Sequence, residues 1–272
     1  MALLLIFCLA TLSLAALLLP PAATALRRAR LRRRPFPAAW RQILRQRVPY
    51  FQQLPADLQL QLKRHILVFL AEKPFLGCAG LVVTDEMRVT IAAQACLLIL
   101  NRRNHYFPNL RQILLYPGAF LVERVQADGN GLQHEQRRAL SGESWVQGQV
   151  ILAWDDVLRG AADTHDGHNV VLHEFAHQLD QEKGAANGAP PQAGRARHAR
   201  WEQVLSAEFG QLRAAVAREE PTLLDAYGAT DPAEFFAVAS ETFFERPAEL
   251  AQRHPALFRE LGLYYRVNPL SW

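Results

Sequence analysis

The stretch Val170 to Leu179, VVLHEFAHQL, constrains this chain more than any other. It carries no charge outside His173, Glu174 and His177, which is the pattern of a helix pressed into a core with one polar face left open. It also contains H-E-x-x-H. At about 100° per residue, positions i and i+4 differ by only about 40° and one turn. His173 and His177 therefore project from one face, where two imidazoles can share a tetrahedral Zn²⁺. Glu174, turned about 100° away, can reach a water at the metal without being a ligand. That is the place of a general base. The bland alternative is a buried helix whose histidines make ordinary hydrogen bonds.

A third ligand has to come from elsewhere. Asp180 and Lys183 stand where H-E-x-x-H-x-x-G-x-x-H would need Gly and His, which excludes that arrangement. The segment Thr230 to Glu245, TDPAEFFAVASETFFE, offers two carboxylates. Asp231, Pro232 and Glu234 read as N-cap, first helical residue and N3 of a capping-box-like start, which accounts for Glu234 without a metal. Glu241 sits mid-helix among Val238, Phe243 and Phe244, where a charge is costly unless paired or bound to metal. Glu241 is the ligand this reading selects. Glu245 and Asp180 each read equally as a hydrogen-bond acceptor for a ligand imidazole or as a solvated charge. His165 and His168 read as solvated loop residues, and His65, His105, His198 and His254 as surface or satisfied core histidines. Tyr227, Tyr264 and Tyr265 are candidate oxyanion donors, with packing as the default for each.

The N-terminus has a different character. Residues 1–26 carry no charged side chain, and the next eight, RRARLRRR, carry six Arg. An uncharged run of this length suffices for one transmembrane helix. The charge follows the run instead of preceding it, which favours an anchor over a cleaved signal peptide and puts the remainder on the cytoplasmic side of the inner membrane. Export after cleavage near Ala22 to Ala25 is the alternative. The formal net charge of +4 comes from this Arg cluster, since the other 238 residues hold 24 basic and 26 acidic groups. No basic face for nucleic acid is expected in the body, and the cluster reads as a lipid-headgroup anchor. Three cysteines, Cys8, Cys78 and Cys96, with no CxxC, exclude a disulfide scaffold and a thiolate zinc site.

The expected organisation is an anchor (1–26), a basic juxtamembrane linker (27–49) broken at Pro35-Phe36-Pro37, and one catalytic domain (50–272). Residues 55–72 read as an amphipathic helix, with Leu58, Leu62, Ile66 and Phe69 at helical spacing. Thr84-Asp85-Glu86 caps a buried helix running to about Leu100. Ile113–Tyr116, Phe120–Val122 and Val150–Trp154 read as short strands. Residues 124–148 are polar and contain Gly, which predicts a loop. Helices are expected from near Asp166, then near 198–218, 232–245 and 248–265, with Gly184 to Gly194 a flexible surface loop. The fold class is α+β, mainly helical with a small sheet.

Several motifs together resemble the Mlc titration factor A family: Leu115-Tyr116-Pro117, Ser141-Gly142-Glu143-Ser144-Trp145, HEFAHQLD, and Tyr227-Gly228-Ala229-Thr230-Asp231-Pro232-Ala233-Glu234 running into Ser240-Glu241-Thr242-Phe243-Phe244. The resemblance covers about residues 50–270. It implies a zincin-like, gluzincin-type catalytic domain and an aminopeptidase-like activity on short peptides, in which His173, His177 and Glu241 bind zinc and Glu174 is catalytic. It adds His134 as a further zinc contact. It also implies binding of the glucose-responsive repressor Mlc, and so a link to sugar uptake. The apolar N-terminal run departs from the soluble members of that family. The alternative is a non-catalytic protein that binds a regulator and carries a structural zinc.

Overall fold

The computed structural model describes residues 20–102, 106–127, 133–140, 142–145 and 148–272, the strands between 120 and 145 by their backbone alone. Helix α1 covers 20–32 and α2 covers Ala38–Arg47. Between them Pro35 and Pro37 deny the backbone its helical hydrogen bonds. Residues 27–49 thus contain the end of α1 and all of α2. Leu31, Leu44 and Val48 are buried in the main core, so the apolar positions among the arginines tie this stretch to the body. Residues 1–19, most of the expected membrane span, lie outside the described residues. Among the described residues no helix is long and apolar enough to cross a membrane.

Helices α3 (Tyr50–Gln53) and α4 (Ala56–Glu72) follow. The amphipathic reading of α4 matches its burial: Leu62, Ile66 and Phe69 are fully enclosed. After β1 (Phe75–Gly77) comes α5 (Asp85–Leu97), whose N-cap Thr84 accepts a hydrogen bond from the Met87 amide. Strand β2 (Gln112–Tyr116) pairs in parallel with both β1 and β6 (Gln149–Ala153), in register at Leu114 and Ile151. A parallel pair needs a crossover connection, and α5 supplies the one between β1 and β2. Strand β5 (Gly142–Trp145) adds antiparallel to β6, giving the order β1-β2-β6-β5.

The polar segment read as a loop forms a hairpin instead. Strands β3 (Phe120–Ala127) and β4 (Gln133–Leu140) pair antiparallel along their full length. Polarity had obscured two eight-residue strands flanking Asp128-Gly129-Asn130-Gly131, a sequence of turn-forming residue types.

One face of the sheet, carrying Ile113, Leu115, Val150 and Leu152, joins the helical core. From β6 the chain enters α6 (Trp154–Ala162) and then α7 (Val170–Asp180), the H-E-x-x-H helix. It starts at Val170 and not near Asp166, because Asn169 is its N-cap and accepts from the Leu172 amide. Its apolar side is fixed by aromatic contacts. Phe175 meets Phe107 with ring centroids 4.9 Å apart and Phe69 at 5.7 Å. Helices α8 (Arg195–Ala217), α9 (Pro232–Glu245), α10 (Pro247–Arg253) and α11 (Pro255–Tyr265) complete the body, with α9 packed directly on α7. The expected 248–265 helix is two, because Pro255 opens α11.

The Gly184 to Gly194 stretch is a pinned connection and not a free one. The Asp180 carboxylate accepts the amides of Asn187 and Gly188, each at 2.7 Å. Trp201 donates its indole N–H to the Gly188 carbonyl. Gly188 has φ +75°, and a Cβ there would lie 2.3 Å from the Pro232 carbonyl oxygen. Only glycine lets this segment touch the first turn of α9. The end of α7 is thereby braced against the start of α9.

Candidate metal centre

Helix α7 presents His173 and His177 toward α9 because Val171, Leu172, Phe175, Ala176 and Leu179 take the core side. The Nε2 atoms of the two imidazoles are 3.2 Å apart. Glu234 Oε2 lies 3.0 Å from His173 Nε2 and 3.4 Å from His177 Nε2. These three ligand atoms, within 4.8 Å of one another, form the one His/Asp/Glu/Cys group among the described residues able to hold a metal ion.

The two carboxylates of α9 do not stand as the sequence reading placed them. Glu241, expected in the ligand set, faces the other nitrogen of His173: its Oε1 is 2.8 Å from Nδ1. Its Oε2 accepts the Asn169 amide. Glu234, expected to complete a cap, turns its side chain to the imidazoles. Asp231 alone caps the helix, accepting from the amides of Ala233 and Glu234 at 2.8 and 3.0 Å, and so frees the Glu234 side chain. A signal for this was present. Glu234, Glu241 and Glu245 are spaced i, i+7, i+11, all within an arc of about 40° around a helix. On an otherwise apolar helix such a stripe marks the polar seam, and its first member meets the face of α7 that carries both histidines.

Glu245 follows neither reading: it is not solvated, and the donors it meets are not imidazoles. It is 4% exposed and accepts from the Tyr50 hydroxyl, the Asn169 side-chain amide and the Gly167 amide at 2.8, 3.0 and 3.0 Å. Burial nonetheless pushes its carboxyl up to about 8, against the hydrogen bonds from Tyr50 and Asn169. Asn169 is the junction of this array. It caps α7, donates to Glu241 and Glu245, and reaches Gln94 and the Gly160 carbonyl. Gly160 permits the contact, since a Cβ there would meet the Asn169 Cα at 3.0 Å. Asp180 likewise is a buried acceptor of backbone amides, and burial raises its carboxyl pKa despite them.

The electrostatics follow from the geometry. Burial opposes a charge on His173, yet the Glu241 charge and the hydrogen bonds His173 donates to Glu234 and Glu241 outweigh it and hold the imidazole pKa well above its ordinary value. Burial also pushes the Glu234 carboxyl up, but the two imidazoles draw it far below the usual carboxylate range. Glu174 is 5% exposed, near enough to His173 for its charge to act on that ring.

The remaining candidates separate cleanly. Tyr227 stays exposed, its ring centroid 6.1 Å from that of His173. Tyr264 and Tyr265 are buried in an aromatic cluster with Phe236, so they are packing residues. His65 is satisfied in the core by the Tyr106 hydroxyl and the Leu100 carbonyl. His254 meets Glu208. The side chain of His134, on β4, and all of His105 lie outside the described residues.

The donor set fits zinc: two imidazole nitrogens and one carboxylate oxygen are the His₂Glu complement of catalytic zinc sites that leave a position open. Comparison with known proteins gives a metallo-peptidase family. The model of the family described as glucose-regulated metallo-peptidase M90 matches residues 23–266. An uncharacterized protein of Synechocystis is 42% identical over 245 residues, 90% of this chain and 89% of that protein. The Mlc titration factor A of Klebsiella pneumoniae is 36% identical over 236 residues, covering 85% of this chain and 87% of its own. That of Serratia proteamaculans is 39% identical over 207 residues, covering 74% and 77%.

Proposed function

The chain belongs to the glucose-regulated metallo-peptidase M90 family, and on that footing we propose that it is a zinc-dependent peptidase whose metal is held by His173, His177 and Glu234. One observation carries this reading: three nitrogen and oxygen atoms from two packed helices converge within 4.8 Å, beside Glu174. When bound, zinc supplies Lewis-acid activation of a water and of the scissile carbonyl.

The side chains do the rest. Glu174 accepts the proton of the attacking water and delivers it to the leaving amine. Glu241 accepts the Nδ1 proton of His173, which fixes the tautomer and aims Nε2 at the centre. Tyr227, exposed beside His173, is placed to donate to the oxyanion of the tetrahedral intermediate.

The aminopeptidase-like preference and the regulatory partner belong to the same proposal. The name of the relatives makes Mlc the protein partner to test by co-purification. The deciding experiment is metal content together with turnover of a panel of aminoacyl and internal-peptide reporters, with and without chelator. Stoichiometric zinc and chelator-sensitive hydrolysis support a peptidase. Zinc without hydrolysis of any reporter favours the regulator-binding alternative.

A further inference from the structure

On the side of the molecule formed by α1, α2 and α4, the geometry points to a second site: a cleft that binds the anionic headgroups of a phospholipid surface. The cleft has a volume of about 740 Å³, within the usual range for a small-molecule site. Arg32, Arg33, Arg34, Arg41, Lys63 and Arg64 line it, and none of its lining residues is acidic. A smaller cleft of about 310 Å³ continues it past Arg45. Two arginines nearby are neutralised: Arg28 pairs with Glu72 and Arg47 with Glu86. Among the described residues, none of the six cations in the cleft has a carboxylate within ion-pair distance. Arg41 reaches only the Phe36 carbonyl, at 3.5 Å.

Like charges held around one concavity repel each other, and an anion relieves that repulsion. Arginine forks suit phosphate oxygens in particular. The helices hold the cations where they are. Leu31 and Leu44 anchor α1 and α2 in the core, while Leu62 and Ile66 anchor α4, so the polar faces turn outward together.

Two features select a lipid surface over a free phosphate or a nucleic acid. The helix that lines the cleft with Arg32 follows an uncharged run covering residues 1–26, which is long enough to enter an apolar phase. Leu60, also in the lining, is 45% exposed beside the cations. An apolar contact next to basic groups suits the boundary between headgroups and acyl chains. The metal centre contributes no residue to this cleft, so the two readings stand or fall separately.

The test uses the full chain and reads a ratio, because the apolar run contributes equally to any bilayer. Partition is measured on vesicles of phosphatidylcholine alone and on vesicles containing about one third phosphatidylglycerol. The wild type should prefer the anionic vesicles at least a hundred-fold in low salt, at about five-fold per cation engaged, and lose most of that preference at about 0.5 M salt. The triple variant Arg41→Gln, Lys63→Gln, Arg64→Gln, with zinc content and melting temperature as wild type, should lose about a hundred-fold of the ratio. The salt series needs no variant, so a misfolded triple variant leaves the idea testable. Equal partition of the wild type into both vesicles overturns the proposal. So does an unchanged ratio in the folded triple variant. Displacement from anionic vesicles by millimolar inorganic phosphate would make the ligand a free phosphate. Equal affinity for a short DNA duplex would make it a nucleic acid; either result overturns the lipid assignment.

Discussion

Glu241 grips His173 at Nδ1, 2.8 Å away, on the edge of the ring opposite the one that faces His177 and Glu234. The same carboxylate accepts the amide that opens helix α7. It therefore fixes both the ring and the helix that carries it, and needs two acceptor atoms to do so.

That requirement distinguishes the two carboxylates of α9. Glutamine at 241 offers one acceptor and turns its NH₂ toward a donor. Glu241→Gln should weaken zinc binding about 10- to 100-fold, the usual cost of losing a partner behind a ligand imidazole. Glu234→Gln, which removes a ligand atom, should weaken it more. Competition against a chelator of known affinity measures both, and the reverse order would exchange their roles.

Glu174→Gln should leave zinc content unchanged and lower kcat about 10²- to 10⁴-fold, the range for loss of a general base. Turnover and metal analysis on one preparation test this. Wild-type turnover in the zinc-loaded variant would remove Glu174 from the mechanism.

Glu245 sets a pH dependence of stability. Its carboxyl lies at about 8 in the folded chain, raised chiefly by burial, against an ordinary value of about 4.3 when unfolded. The folded state binds the extra proton between those values, so this contribution is complete below about pH 4.3 and is lost as pH rises through about 8. In metal-free protein, urea unfolding of wild type should therefore fall by a few kcal/mol relative to Glu245→Gln across that window. A parallel pair of curves would show that Glu245 is ionised throughout.

Gly188→Ala forces a side chain into a left-handed conformation and within 2.3 Å of the Pro232 carbonyl oxygen. The expected loss is roughly 2 kcal/mol in urea unfolding. Zinc affinity should fall with it, since Pro232 opens the turn that carries Glu234. Gly210→Ala, within α8 and with no atom within 4 Å of the added Cβ, is the control.

The histidine pair was legible in the sequence because H-E-x-x-H on a helix has only one geometric outcome, and an apolar context says the helix is buried. The placement of Glu234 was not, because a good local explanation competed with the tertiary one. Asp231 and Pro232 already open a helix, and a Glu at N3 completes a familiar cap; only the meeting of α9 with α7, a tertiary fact, turns that side chain to the imidazoles. The hairpin β3–β4 was lost for a related reason, since strand pairing is made by the backbone and polar residues hide it from a reading based on apolar alternation. The Gly/Ala/Pro segment after Lys183 has the composition of a free loop, yet Asp180 and Trp201, distant in type from any loop signal, hold it down. In each case the missing information was a pairing or contact that no local pattern of apolar residues records.

The central claim is that His173, His177 and Glu234 hold one zinc while Glu241 stays behind His173. Anomalous diffraction at the zinc edge on the zinc-loaded protein tests it most directly. The account predicts a single peak within about 2.0–2.2 Å of His173 Nε2, His177 Nε2 and a Glu234 oxygen, with Glu241 still on Nδ1. A zinc ion bonded to Glu241 with Glu234 turned away, or no zinc at the histidine pair, would contradict it.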